Sequence, residues 1–483
     1  MSSISDKLHH WINGSFREPA SGRFLDVTDP ATGTVVRHIA DADAADIDDA
    51  VRSAQAALPT WRSIPALDRG RLFTELARRM RAEKEQIAEL ERSETGKPLS
   101  LAIGEVEGSA NYFDFYGGLM GLPAGDTLDV AADQHVYTRR EPYGVIGIIT
   151  PWNVPLNQAA RGCAPAMAAG NTVVIKPSEF TSTSTVRLAE LAVEVGFPAG
   201  VLNVVLGSGR EAGAALVEHP SIAKVAFTGS VGTGRIIGKI AAERIIPLTL
   251  ELGGKSANII FADANLDDAV EGSVKAFTAN AGQVCSAGTR LFVHRDVHED
   301  VVARLADRVA QVRVGDEMGP LITNDQFRRV QEYFDVATSE GATAITGGAV
   351  SAVAGETGGY YVDPTVYTGV DNSMRIAQEE VFGPVVVVIP FGTDEEAIAL
   401  ANDSDYGLVA GLWTNDVSRA ITVSEKLRAG QVFVNTWSTG SVQTPFGGSK
   451  LSGYGREKGI EALHDYSQVK CVTIKLNGST VGS

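Results

Sequence analysis

Cysteine is scarce in this 483-residue chain: three thiols, Cys163, Cys285 and Cys471, stand far apart. They form no disulfide framework and no metal-chelating spacing. No stretch approaches about 18 uninterrupted apolar residues, so no membrane span is predicted. Residues 1–11 carry Asp6, Lys7, His9 and His10 and lack the apolar core of a secretion signal. Basic charge is short too: 42 Lys and Arg against 59 Asp and Glu leave a formal charge of −17. That sign opposes a phosphate-backbone partner. Low-complexity tracts are missing as well. The expectation is a soluble protein of a reducing cytoplasm, with a small molecule as partner and neither nucleic acid nor membrane.

What is present is an ordinary globular balance, 44% hydrophobic and 21% charged, in a chain long enough for two or three domains. Leu72, Leu76, Met80, Ile87 and Leu90 give helical spacing over 68–96. From Tyr143 onward short apolar runs alternate with helices. Strands are predicted at 145–149, 172–175, 202–206, 224–227 and 257–261, and helices at 159–169, 183–195 and 233–242. A second alternating region follows, with helices at 266–281, 298–312 and 395–402 and a strand at 385–389. This alternation implies βαβ units, parallel sheets covered on both faces, and two α/β lobes. Residues 120–140 interrupt the first lobe with little helical signal, and 468–475 read as a strand. An unpaired terminal strand invites aggregation, so these two segments are expected to pair with each other or across a subunit interface.

Candidate chemistry lies in a few windows. Cys285 sits in NAGQVCSAG, residues 280–288, among small and polar neighbours that leave the backbone open to close approach. It reads as a nucleophile or as a structural thiol; Cys163 and Cys471 read as core packing. Glu251 closes an apolar strand in LTLELGGK, residues 248–255. A carboxylate buried there has a raised pKa and suits a general base; pairing with Lys255 at a surface edge is the alternative. Asn153, in PWNVPL at 151–156, follows a strand at the end where open parallel sheets bind ligands. Its amide suits an oxyanion donor or a simple turn.

The Gly-x-Gly-x-x-Gly dinucleotide fingerprint is missing. Gly207 with Gly209, and Gly229 through Gly234, follow strands at other spacings. The helix after Ser230 offers its N-terminus to a phosphate, and Lys176 with Glu179 could bond ribose hydroxyls. Plain turns and a surface charge pair are the alternatives.

Taken in order, eight windows resemble the aldehyde dehydrogenase superfamily: PWNVPL at 151, KPSE at 176, FTGS at 227, ELGGK at 251, the Cys285 segment, EEVFGP at 379, PFGG at 445 and SGYGRE at 452. They run nearly the whole chain with family-like separations. The resemblance implies Cys285 as nucleophile, Glu251 as general base, and Asn153 with the Cys285 N–H as oxyanion hole. For the cofactor it implies Lys176 and Glu179 at the adenine-side ribose, Ser230 at the pyrophosphate, and Ser178, Gly209 and Thr233 as further cofactor-binding residues. Thr150, Pro151, Trp152, Phe227, Thr228, Gly229 and Leu252 would line the cleft. Glu380 would hold the nicotinamide ribose, with Phe382 beside the ring. NAD is preferred because Glu179 repels a 2′-phosphate, with NADP as the alternative.

The implied fold has a Rossmann-like cofactor domain (1–122 and 142–252), an α/β catalytic domain (253–450) and a return segment (451–466). A small β oligomerisation extension (123–141 and 467–483) would make a homodimer or homotetramer. The implied reaction oxidises an aldehyde to a carboxylate through a cysteine thiohemiacetal and thioester, with water as acyl acceptor. The glutamate at 251 argues against coenzyme A as acceptor, and the intact set argues against a non-catalytic relative. Val154, Gln158, Arg161, Val284, Ser286 and the segment 437–442 beginning at Trp437 would surround the aldehyde. Arg161 stands where many relatives carry a large aromatic residue and points to a polar, aromatic or anionic aldehyde, unless it turns outward or pairs with an acid. Ala279 replaces a second arginine typical of succinic semialdehyde enzymes.

Overall fold

The computed structural model describes residues 7–122, 124–437 and 441–476. Two large sheets organise it. The first has eight strands in the order Gly453–Tyr454, Leu248–Glu251, Ile222–Thr228, Val145–Ile149, Thr172–Lys176, Leu202–Val204, His10–Ile12 and Ser15–Arg17. Its five central strands run parallel. Antiparallel strands close both edges. Val145–Ile149 and Thr172–Lys176 are buried along their whole length, as strands covered on both faces must be. The second sheet has seven strands, ordered Thr343–Thr346, Thr365–Thr368, Val385–Phe391, Arg290–His294, Ala257–Ile260, Val409–Trp413 and Gln431–Val434. All but the first of these run parallel. The α/β class expected from the alternation is the observed one.

A third sheet joins the interruption to the tail. Gln134–Pro142 pairs antiparallel with Ser467–Lys475, from Ser467 opposite Pro142 to Lys475 opposite Gln134. Thr127–Leu128 adds a short outer strand. The two segments therefore pair with each other within one chain. Cys471 lies on this ladder and is exposed, so the core-packing expectation for it is wrong: both neighbouring faces of the strand meet solvent. Cys163 is buried as expected.

Two helical expectations need correction. The stretch 68–96 is two helices, Ala66–Ala82 and Lys84–Thr95, divided at Glu83. The apolar spacing continues across the break, so periodicity alone hides it. Two flanking helices, Ala44–Ser63 and Leu99–Gly118, also belong to this layer. The helix expected over 266–281 ends at Thr278. Asn280 and Ala281 then take left-handed backbone angles, φ 51° and 53°, a conformation that costs a non-glycine residue free energy and recurs at functional sites. No described helix is long and apolar enough to cross a membrane.

Candidate active site

Strand ends build the site. Thr150, Thr228 and Glu251 stand at the C-terminal ends of three neighbouring strands of the first sheet, with Thr228 in register with Glu251. Open parallel sheets gather ligands at this edge because successive loops diverge there. The Cys285 segment arrives from the second unit between helix Leu266–Thr278 and strand Arg290–His294. Gly254 makes that approach possible. A Cβ on it would stand 2.4 Å from the Cys285 carbonyl oxygen.

Asn153 is no local turn asparagine. Its Nδ2 donates to the carbonyl of Gln283, 130 residues away, at 2.8 Å. Its own carbonyl accepts from Asn280 Nδ2 at 2.9 Å and from the buried Lys97 Nζ at 3.2 Å. Lys97 is held by Glu105 at 2.6 Å and lies 3.7 Å from Glu91. Gln283 is clamped in turn, donating to Asn280 and Pro320 carbonyls and accepting from the Ile322 N–H. This web fixes the segment two residues before Cys285. One Asn153 N–H remains for another acceptor, and the Cys285 N–H makes no hydrogen bond among the described residues. Among the described residues, an Asn153 amide N–H and the Cys285 N–H are thus left as free donors, the kind of group an oxyanion hole needs.

The opposite side is built of charge. Glu251 is 2% exposed, and neither carboxylate oxygen has a hydrogen-bond partner. Burial raises its pKa well above the ordinary carboxylate value, and the charge of Glu457 adds to the rise. Lys255 is not its partner. Arg161 is, with Nη2 at 3.7 Å from Glu251 Oε2. Arg161 neither turns outward nor stands free: Nε forms an ion pair with Glu457, and the guanidinium lies over the Phe446 ring at 4.4 Å. Burial pushes the arginine pKa down, but the two acids outweigh it and the guanidinium stays charged. The Cys285 thiol is pushed up to about 11 by burial, with Arg161 the main influence pulling it back.

Gln158 and Arg161 sit three apart on helix Pro155–Ala168, which follows Val154, so they share a face. Val284 and Ser286 are half-buried beside Cys285. Trp437 is buried with Ala276, Leu408, Val409 and Phe446, and Cys285 packs against that cluster. Residues 438–440 of the expected segment lie outside the described residues.

The cleft along the first sheet fits a dinucleotide. Thr150 Oγ1 is buried at the strand end with no hydrogen-bond partner, an acceptor or donor awaiting a ligand. Lys176 Nζ donates to the carbonyls of Pro177 and Gly207 and lies 3.4 Å from Glu179. Glu179 also accepts from the Gly209 N–H at 3.4 Å, and Ser178 adjoins them. Ser230 caps helix Val231–Arg244 by accepting from the Thr233 N–H. That 14-residue helix points its N-terminus out of the cleft wall beyond Phe227, Thr228 and Gly229, a favourable place for an anion. Leu252 packs against Gly234. Across the cleft, Trp152 and Phe382 meet edge-to-face at 5.3 Å, following Pro151. Glu380 accepts from the Gly254 N–H at 3.0 Å and is raised by burial to about 7.

Sequence reasoning missed three residues here. Lys97 is distant in sequence and gives no local sign. Glu457 lay inside the quoted SGYGRE window without a role. Lys458 follows it. The run Arg456-Glu457-Lys458, charged yet set between glycines, is the signal that could have flagged the last two.

The chain matches the family model described as the aldehyde dehydrogenase family over residues 16–472. It is 43% identical over 479 residues to an aldehyde dehydrogenase of Enchytraeus buchholzi, covering 96% of this chain and 95% of that one. It is 42% identical over 477 residues to retinal dehydrogenase 2 of Homo sapiens, covering 96% and 91%. The structure of an aldehyde dehydrogenase from Bacillus cereus in complex with NAD+ superposes with a TM-score of 0.95 at 42% identity, over 98% of this chain and 97% of that one. The chain therefore belongs to the aldehyde dehydrogenase family, oxidoreductases that convert aldehydes to acids.

Proposed function

We propose that Cys285 is the nucleophile, Asn153 and the Cys285 N–H the oxyanion hole, and Glu251 the base that activates water. The observation that carries this reading is Glu251: a buried carboxylate with neither oxygen hydrogen-bonded, at a strand end close enough to act on the Cys285 thiol. The Cys285 sulfur attacks the aldehyde carbon and its proton passes to Glu251. The new alkoxide accepts from Asn153 Nδ2 and the Cys285 amide. NAD, when bound, supplies the hydride acceptor. Oxidation leaves a thioester on Cys285. Glu251, deprotonated again, takes a proton from water, whose oxygen attacks the thioester and releases the carboxylate and the thiol. Donors fixed in this way act without reorganising during the reaction.

The first sheet with its edges would carry the cofactor and the second sheet the nucleophile, with the boundaries given by the sequence. Lys176 and Glu179 would hold the adenine-side ribose, Ser230 the pyrophosphate, and Glu380 the second ribose beside Phe382, with Ser178, Gly209 and Thr233 as further cofactor contacts. Glu179 favours NAD over NADP. The terminal ladder exposes Val469 and Ile474, which supports its use as a contact between subunits of a homodimer or homotetramer. Three unpaired thiols suit a reducing cytoplasm. The substrate is a polar, aromatic or anionic aldehyde. A panel of such aldehydes, followed by NADH formation with and without coenzyme A, tests the reading. Turnover independent of coenzyme A is expected; acyl-CoA as sole product would contradict Glu251 as the base for water.

A further inference from the structure

Two cations flank the Phe446 ring, and they are not alike. Arg161 lies 4.4 Å from the ring centroid and is committed to Glu457 and Glu251. Lys458 Nζ lies 5.1 Å from the same centroid. Among the described residues no carboxylate stands within ion-pair distance of Lys458 and no acceptor within hydrogen-bond distance. Its backbone holds φ at +63°, and the Gly459 N–H is tied to the Val442 carbonyl, so the side chain's direction is set by a fixed turn. Phe446 belongs to the apolar cluster on which Cys285 packs. Lys458 thus presents a charge beside the reacting thiol.

A buried or half-buried ammonium without a counter-ion is costly. Burial, together with the charge of Arg161, pulls Lys458 down to about 8, so it remains charged at neutral pH. Charge counting gives the same direction. Glu457 neutralises Arg161, and Glu251 is neutral whenever its raised pKa keeps it protonated. Lys458 is left as surplus positive charge.

We propose that Lys458 receives a carboxylate carried by the substrate, so that the preferred aldehydes are semialdehydes with a terminal carboxylate. This rests on Cys285 being the nucleophile and narrows the substrate class given above. A neutral phenol would leave the ammonium uncompensated, since a phenol ionises near 10. A phosphate brings more oxygens than one ammonium satisfies, and Arg161 is already engaged. Arg161 is then the spacer that holds Glu457 away from Lys458 rather than the anion receptor.

The test compares each ω-carboxy aldehyde of four to six carbons with its methyl ester, in wild type, Lys458→Met and Lys458→Arg. Wild type is expected to prefer the free acid by at least about tenfold in kcat/KM. Lys458→Met should reduce that preference about 10- to 100-fold, chiefly through KM, the range for losing a charged hydrogen bond. Lys458→Arg should keep most of it. The proposal is overturned if wild type prefers the esters, or if Lys458→Met slows acid and ester equally, as it would were the lysine only tuning the thiol. Failure of both aldehydes to give any NADH with wild type would instead strike at Cys285 chemistry itself.

Discussion

The two walls around Cys285 are built on opposite principles. On the Asn153 wall, most carbonyls and amides are matched: Asn153 to Gln283, Asn280 and Lys97 to Asn153, Gln283 to Asn280, Pro320 and Ile322, with Asn153 Oδ1 the exception. On the Glu251 wall, Glu251 Oε1, Glu251 Oε2 and Arg161 Nη2 are all buried without a hydrogen-bond partner. The first wall fixes donors in place before substrate arrives. The second leaves the Glu251 carboxylate without hydrogen bonds beside a guanidinium that stays charged, so that Glu251 can accept a proton during the reaction. Hydrogen-bonded order serves orientation, and its local lack serves proton transfer.

Removing the group between the walls has the largest effect. Cys285→Ala should abolish the NADH burst and leave no steady-state oxidation, read by stopped-flow absorbance; normal turnover would end the assignment. Breaking the ordered wall at its functional tip comes next. Asn153→Ala should lower kcat by about 10²–10³, the usual cost of one oxyanion donor. A smaller loss follows from breaking the same wall one step back. Lys97→Met should lower kcat about tenfold by letting Asn153 shift. In the Asn153→Ala background it should add little, and a fully additive loss would mean that Lys97 acts elsewhere.

The charged wall yields the mildest change, a displaced pH profile. The base works only when ionised, so activity falls as pH drops through the raised Glu251 pKa. Glu457 contributes to that rise and Arg161 opposes it. Glu457→Gln should therefore move the acid limb of kcat to lower pH, and Arg161→Leu should move it higher. Identical acid limbs in all three proteins would show that Glu251 does not govern the profile.

The ordered wall and the charged wall were not equally legible. Val145–Ile149 is an uninterrupted apolar run, and its strand coincides with the sequence reading. Asn153 and Glu251 follow such runs directly, so their placement at strand ends could be inferred. Asn280 and Ala281 could not: both are ordinary helix residues by propensity, and their left-handed angles are imposed by contacts with distant segments. Glu83 breaks a helix without proline or glycine to mark it. Lys97 and Lys458 gain their meaning only from tertiary contact. Arg161 was visible as an anomaly, but its partner Glu457 lies 296 positions on in the sequence, and nothing local joins them.

The central claim is that the thioester forms on Cys285 and that Glu251 activates the water that removes it. Glu251→Gln, mixed with aldehyde and NAD and quenched for intact-protein and peptide mass spectrometry, tests both halves at once. The account predicts one equivalent of NADH, an acyl adduct on the Cys285 peptide, and hydrolysis slowed by about 10²–10⁴. An unmodified Cys285 peptide with undiminished turnover would contradict it.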